Sequence, residues 1–177
     1  MLLALLLLLV IGGVLKARSV FVLPGHLRTL IEQEAYTHSL PPSLVAGVIF
    51  TESRFQERAV SSAGAVGLMQ LMPDTFAWLR FRAGDKHDYS EADLTRPDIN
   101  IRYGSYNLAL LLEEYERLEE VLAAYNAGRG RVNGWLDNTS YSADGITLHS
   151  IPYPETARYV ERVLLYTRVY RVLYHWS

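Results

Sequence analysis

The sequence predicts an all-α fold, and three observations carry that prediction. Apolar residues recur at helical spacing in four separate stretches. Prolines stand where helices should begin, at Pro42, Pro73 and Pro154. No stretch after residue 23 alternates as a strand would, and none repeats or is of low complexity.

The 177 residues form one domain, residues 24–177, behind an N-terminal hydrophobic segment, residues 1–23. Leu2 to Leu15 carries no polar or charged side chain, which is short of the roughly 20 residues a membrane span needs. Lys16 and Arg18 can snorkel, and Val20 to Leu23 resumes the apolar run. The reading is an uncleaved anchor in the cell membrane, with the domain outside the cytoplasm. Export after signal cleavage is the alternative, but Val14-Leu15-Lys16-Ala17 makes a poor cleavage site. Lys16 and Arg18 also run against export under the positive-inside tendency.

Pro24-Gly25 separates this segment from the domain. Leu27, Leu30, Ile31 and Ala35 stripe a helix over about 26–38. The next helix starts at Pro41-Pro42 and carries Val45, Val48 and Ile49 on one face. Another runs from Pro73 through Phe76, Trp78, Leu79 and Phe81 and stops at Gly84. Asp85 to Asp98 is acidic and reads as a solvated loop. Ile99, Tyr103, Tyr106 and Leu110 stripe a long helix to about Arg117. Glu119 to Ala127 is a short helix ended by Gly128, and 129–151 reads as loop. Pro154 opens a final helix with Tyr159, Val160, Val163, Leu164, Tyr170 and Leu173 inside.

One residue breaks the pattern. Glu52 falls on the stripe of Val45, Val48 and Ile49, where a carboxylate should pack inward. Either it bends out to pair with Arg54 or Arg58, or it is an acid whose proton is held by desolvation. The following stretch, 61–73, carries no charge and two glycines, Gly64 and Gly67. Ser61 and Gln70 supply hydrogen-bonding groups. An acid beside a flexible, uncharged, hydrogen-bonding loop suits a neutral ligand rich in hydroxyls.

The net charge is −2 and the 17 basic residues are scattered, so there is no field for nucleic acid. With no cysteine there are no disulfides or thiolate sites. The five histidines show no ligand spacing, so neither a metal nor another cofactor is expected.

Four motifs in order complete the reading: Glu52-Ser53, Gly67-Leu68-Met69-Gln70, Ala124-Tyr125-Asn126-Ala127-Gly128, and Ile151-Pro152-Tyr153-Pro154-Glu155-Thr156. Together they resemble the lytic transglycosylase family with a lysozyme-like domain, over about 24–170. The resemblance implies a two-lobed helical domain with a central cleft for the glycan strands of peptidoglycan. It implies cleavage of the β-1,4 bond from N-acetylmuramic acid to N-acetylglucosamine, leaving 1,6-anhydro ends without water. Glu52 would be the single acid and base. Ser61, Gly67, Gln70, Met72, Tyr125, Asn126 and Glu155 carry over as substrate-binding positions. By their own helices alone, Tyr125 reads equally as a core tyrosine, and Glu155 as a first-turn glutamate favoured by the helix dipole. Asn126 reads as a local brace. Two departures stand out: Gln56-Glu57 follow Phe55 where Asn-Pro is common, and Ala157 stands where a basic residue is common. Cell-wall or secretion machinery are the further partners this resemblance allows. A water-using muramidase of the goose-lysozyme type and a non-catalytic glycan-binding module are the rival readings.

Overall fold

The computed structural model describes residues 21–176. The proposed anchor falls almost wholly on residues outside these, and no helix of the described residues is long and apolar enough to cross a membrane. Phe21 and Leu23, counted with the apolar segment above, pack instead on the domain. The Phe21 ring lies 5.0 Å from Phe50 and 5.8 Å from Tyr166. Leu23 is 5% exposed, and its amide donates to the Tyr174 hydroxyl at 2.7 Å.

Among the described residues there are seven α-helices: α1 (Gly25–Thr37), α2 (Pro42–Ser53), α3 (Pro73–Ala83), α4 (Pro97–Glu114), α5 (Leu118–Ala127), α6 (Arg129–Leu136) and α7 (Pro154–Tyr174). Proline holds the first turn of α2, α3, α4 and α7, where its missing amide costs nothing. Among the described residues there is no strand, only isolated antiparallel bridges that join Val66 to Val60 and Leu71.

Three boundaries differ from the sequence reading. The stretch 129–151 is not all loop, because Arg129–Leu136 is helical. Val132 and Trp135, one turn apart, bury against the main core and hold it there. The acidic loop contains a short 3₁₀ helix, Glu91–Thr95, opened by a reciprocal Ser90–Asp93 capping box. Helix α4 ends at Glu114, three residues early. Tyr115 leaves the helical conformation to turn inward, and its hydroxyl donates to Asn133 Oδ1 at 2.7 Å.

The helices build two apolar cores. The larger gathers residues of α1, α2, α4, α5, α6 and α7. The smaller joins Leu71, Phe76, Leu79, Leu94, Ile99 and Tyr103 around α3. Helix α4 contributes to both, so the two lobes share one strut. Helix α2 is buried on every face from Ser43 to Phe50, where the sequence promised only a stripe. Helix α7 lies directly against it. A Cβ on Gly47 would stand 2.9 Å from the Thr167 backbone nitrogen, closer than side chains tolerate. Only glycine lets the two backbones come this near.

Candidate active site

Helix α2 delivers Glu52 in its last turn, and Arg54 then ends the helix in the left-handed region (φ 52°). Phe55 also adopts a positive φ of 64°, so two consecutive non-glycine residues make the turn just before Gln56-Glu57. The Phe55 ring packs edge-on to Tyr170, 5.9 Å away, which holds the turn in place.

Glu52 is half-buried and forms no ion pair among the described residues. Arg54 and Arg58 are exposed. Burial pushes the Glu52 carboxyl up to about 7, with the Tyr159 hydroxyl and the Arg162 guanidinium partly opposing it. Both opposing groups stand on α7, and no carboxylate is among the groups that act on Glu52. Tyr159 is 2% exposed, and its hydroxyl oxygen has no hydrogen-bond partner within reach. It faces Glu52 as a poised donor rather than a closed bond. Burial, and then the Glu52 charge, raise Tyr125 and Tyr159 well above the ordinary tyrosine range. Both phenols therefore stay neutral.

The glycine-bearing loop is fixed from three sides. Ser53 Oγ, one residue past Glu52, donates to the Leu68 carbonyl at 2.8 Å. Tyr125 Oη donates to the Met69 carbonyl at 2.8 Å. The fully buried Asn100 accepts from the Met69 amide at 2.7 Å and donates to the Val66 and Leu94 carbonyls at 2.9 and 2.8 Å. Gly67 takes a φ of +83°, and a Cβ there would stand 2.2 Å from the Leu94 carbonyl oxygen. The Gly-Leu-Met-Gln motif is thus a backbone scaffold clamped to the end of α2.

A cleft of about 390 Å³ opens beside this clamp, between the two lobes. Gln70, Met72, Asp74 and Trp78 line one wall, and Tyr125 and Arg129 the other. Glu52 is not on its wall; Tyr125 connects the two, since it lines the cleft and feels the Glu52 charge.

The residues carried over by motif therefore separate. Tyr125, Gln70 and Met72 line the cleft, and Glu52 stands close enough for its charge to act on Tyr125. Met72 is 40% exposed there, as an apolar contact requires. Gln70 Nε2 is committed to the Gly67 carbonyl at 2.9 Å, which leaves its side-chain oxygen as the group free to accept. Gly67 faces inward and shapes the loop. Ser61 Oγ accepts from the Ala65 amide at 3.0 Å and closes the turn before the motif. Asn126 Oδ1 accepts from Thr156 Oγ1 at 2.8 Å, so it braces α5 to the start of α7 rather than only its own loop. Glu155 is exposed in the first turn of α7. Tyr159, Asn100 and Asp74 were not singled out from sequence. The acidic loop is structural: the Tyr103 hydroxyl donates to Asp85, and Arg96 pairs with Asp98 at 2.9 Å. Among the described residues no three His, Asp or Glu side chains gather as a metal site.

The transglycosylase SLT domain model matches residues 29–146. The soluble lytic murein transglycosylase of Escherichia coli is 35% identical over 135 residues, 75% of this chain and 21% of that protein. Membrane-bound lytic murein transglycosylase C of Actinobacillus pleuropneumoniae is 33% identical over 142 residues, 75% of this chain and 38% of that protein. Among solved structures, the 70-kDa soluble lytic transglycosylase in complex with bulgecin A superposes with a TM-score of 0.74 at 30% identity, over 86% of this chain and 25% of that one. An inactive glutamate-to-glutamine mutant of lytic transglycosylase Slt from Pseudomonas aeruginosa gives 0.70 at 33% identity, over 81% and 24%. The chain thus spans between a fifth and two fifths of the length of these relatives. By the extent of that match and the clamp built on its motifs, the chain belongs to the transglycosylase SLT domain family.

Proposed function

We propose that this chain is a peptidoglycan lytic transglycosylase with Glu52 as its one acid and base. The observation that carries the reading is a half-buried carboxyl held near pKa 7 by desolvation, with no second carboxylate acting on it. An acid of that strength is protonated in mildly acidic conditions, about half protonated at neutrality, and still gives up its proton readily. Glu52 donates that proton to the oxygen between the muramic acid and glucosamine residues, and the anomeric carbon–oxygen bond breaks. The carboxylate then takes the proton of the muramic 6-hydroxyl as O6 bonds to the anomeric carbon. Glu52 ends protonated again, water is not consumed, and the product is a 1,6-anhydro end. The muramic N-acetyl group is the internal assistant expected in the first step. Gln70 and Met72 on one wall and Tyr125 on the other are the strand-binding groups of this reading, and Ser61, Asn126, Gly67 and Glu155 support them from behind or from the rim.

The names of relatives span soluble and membrane-bound forms. For this chain we read residues 2–20 as the membrane anchor, with the domain acting on the wall side. Purified sacculi digested with the chain should release anhydro-ended fragments by mass spectrometry. Reducing ends would establish a hydrolase instead. No release, with strand binding retained, would establish a binding module.

A further inference from the structure

A second cavity, of about 630 Å³, lies on the far side of α4, between α1, α4 and the end of α3. The catalytic cleft uses none of its residues. Helix α4 presents Arg102 and Tyr106 to this cavity and Asn107 and Leu111 to the catalytic cleft. Its size falls in the range of small-molecule sites, roughly 300–1,000 Å³.

Glu34 lines it and is 6% exposed. A carboxylate this buried normally sits in close hydrogen bonds. Glu34 has none from the described residues: its nearest charged neighbours, Arg102 Nε and His38 Nε2, each stand 3.8 Å away, beyond hydrogen-bond length. Burial raises the Glu34 carboxyl, and Arg102 only partly offsets it. Burial and Arg102 lower His38, so that imidazole is not the missing cation. The Arg102 side chain is 47% exposed and pairs with no other carboxylate among the described residues; Asp85, which also lines the cavity, is held by Tyr103 and His87. Above the gap, His38 and Tyr106 stack with ring centroids 5.6 Å apart and form an apolar, planar wall.

An open acid–base pair beside a planar wall fits one ligand chemistry. We propose that this cavity binds an α-amino-acid zwitterion, its ammonium donating to Glu34, its carboxylate accepting from Arg102, and its side chain lying against His38 and Tyr106. The two charges of such a zwitterion sit on one carbon, which matches two protein charges that form only a loose ion pair at 3.8 Å, without a close hydrogen bond. A free amino acid and the zwitterionic end of a larger molecule share this chemistry.

The test is a titration of the full chain, followed by calorimetry and by the imidazole proton resonances of His38. Glycine and phenylalanine are the probes, with phenylalanine expected to bind tighter through its ring. Acetate lacks the ammonium, ethylamine lacks the carboxylate, and glycylglycine holds the two charges apart. Each of these three should bind at least tenfold more weakly than glycine. Glu34→Gln and the more exposed Arg102→Gln should each weaken glycine at least tenfold, and the second keeps the test valid if the first does not fold. Lysine, carrying its zwitterion at the end of a long chain, should match glycine if the natural ligand is a larger molecule. Much weaker binding of lysine would assign the site to free small amino acids. Equal binding of acetate, ethylamine or glycylglycine, or no saturable change with glycine and phenylalanine, overturns the proposal. None of these outcomes depends on the reaction at Glu52.

Discussion

The Tyr159 hydroxyl and the Glu52 carboxyl face each other across the α2–α7 contact, and each changes the other's hold on its proton in opposite senses. The phenol draws Glu52 down, while the Glu52 charge drives Tyr159 up. The buried phenol has no other partner, so what it contributes, it contributes to Glu52.

Tyr159→Phe removes that contribution while keeping the ring. Activity should fall only modestly, and its descending limb should move to higher pH, since Glu52 then loses a group that favours its charged form. Stability should hold, because an unpaired buried hydroxyl is removed. A pH–rate profile decides it: an unmoved limb would place Tyr159 in packing alone.

Glu52→Gln should abolish turnover, by about a hundred- to ten-thousandfold, with the fold and strand binding retained. Its stability should also depend on pH. The folded carboxyl is raised from the ordinary 4.5 to about 7, so the folded state binds the proton more tightly than the unfolded one. That stabilisation is complete below about 4.5 and is lost as pH rises through 7. The glutamine variant escapes the loss, so its advantage over wild type should grow to roughly 3 kcal/mol across that window. Melting curves from pH 4 to 8 read this directly, and a constant difference would sink the desolvated-acid account.

Asn100→Ala removes three hydrogen bonds that tie Val66 and Met69 to Leu94, and leaves the Met69 amide and the Leu94 carbonyl unpaired, while the Val66 carbonyl keeps the Leu71 amide. The expected cost is about 3 kcal/mol or more. Denaturant unfolding gives that figure, and activity measured well below the transition should also drop, since Met69 and Gln70 lose their anchor.

Deleting residues 1–20 should leave a domain that is folded and active. Deleting residues 1–23 removes Phe21 from its aromatic cluster and Leu23 from the core as well. That further cut should cost about 3 kcal/mol, or roughly 10 °C in melting temperature. Equal melting points for the two truncations would count against a packed N-terminal edge.

Glu52 was legible because a charge on an apolar stripe is a local anomaly. Its nearest groups were not. Tyr159 recurs at helical spacing among valines and leucines, and a tyrosine that faces a carboxyl has the same pattern there as one that fills a core. Asn100 acts on Val66, 34 residues away, and no local pattern encodes that reach. Gly67 and Gln70 were visible as a motif. Their main contacts point into the loop itself, because a backbone held at positive φ must be tied down before it can bind anything. Helix α6 was hidden by Gly130 and Gly134, which read as breakers until Val132 and Trp135 find the core.

The bare backbone of Gly47 has a chemical consequence five residues away. It sets how near α7 stands to α2, and α7 carries both groups that oppose desolvation at Glu52. The acidity of the carboxyl is therefore a measure of the spacing between two helices. A methyl group inserted at Gly47 would wedge them apart and retune the acid without touching it.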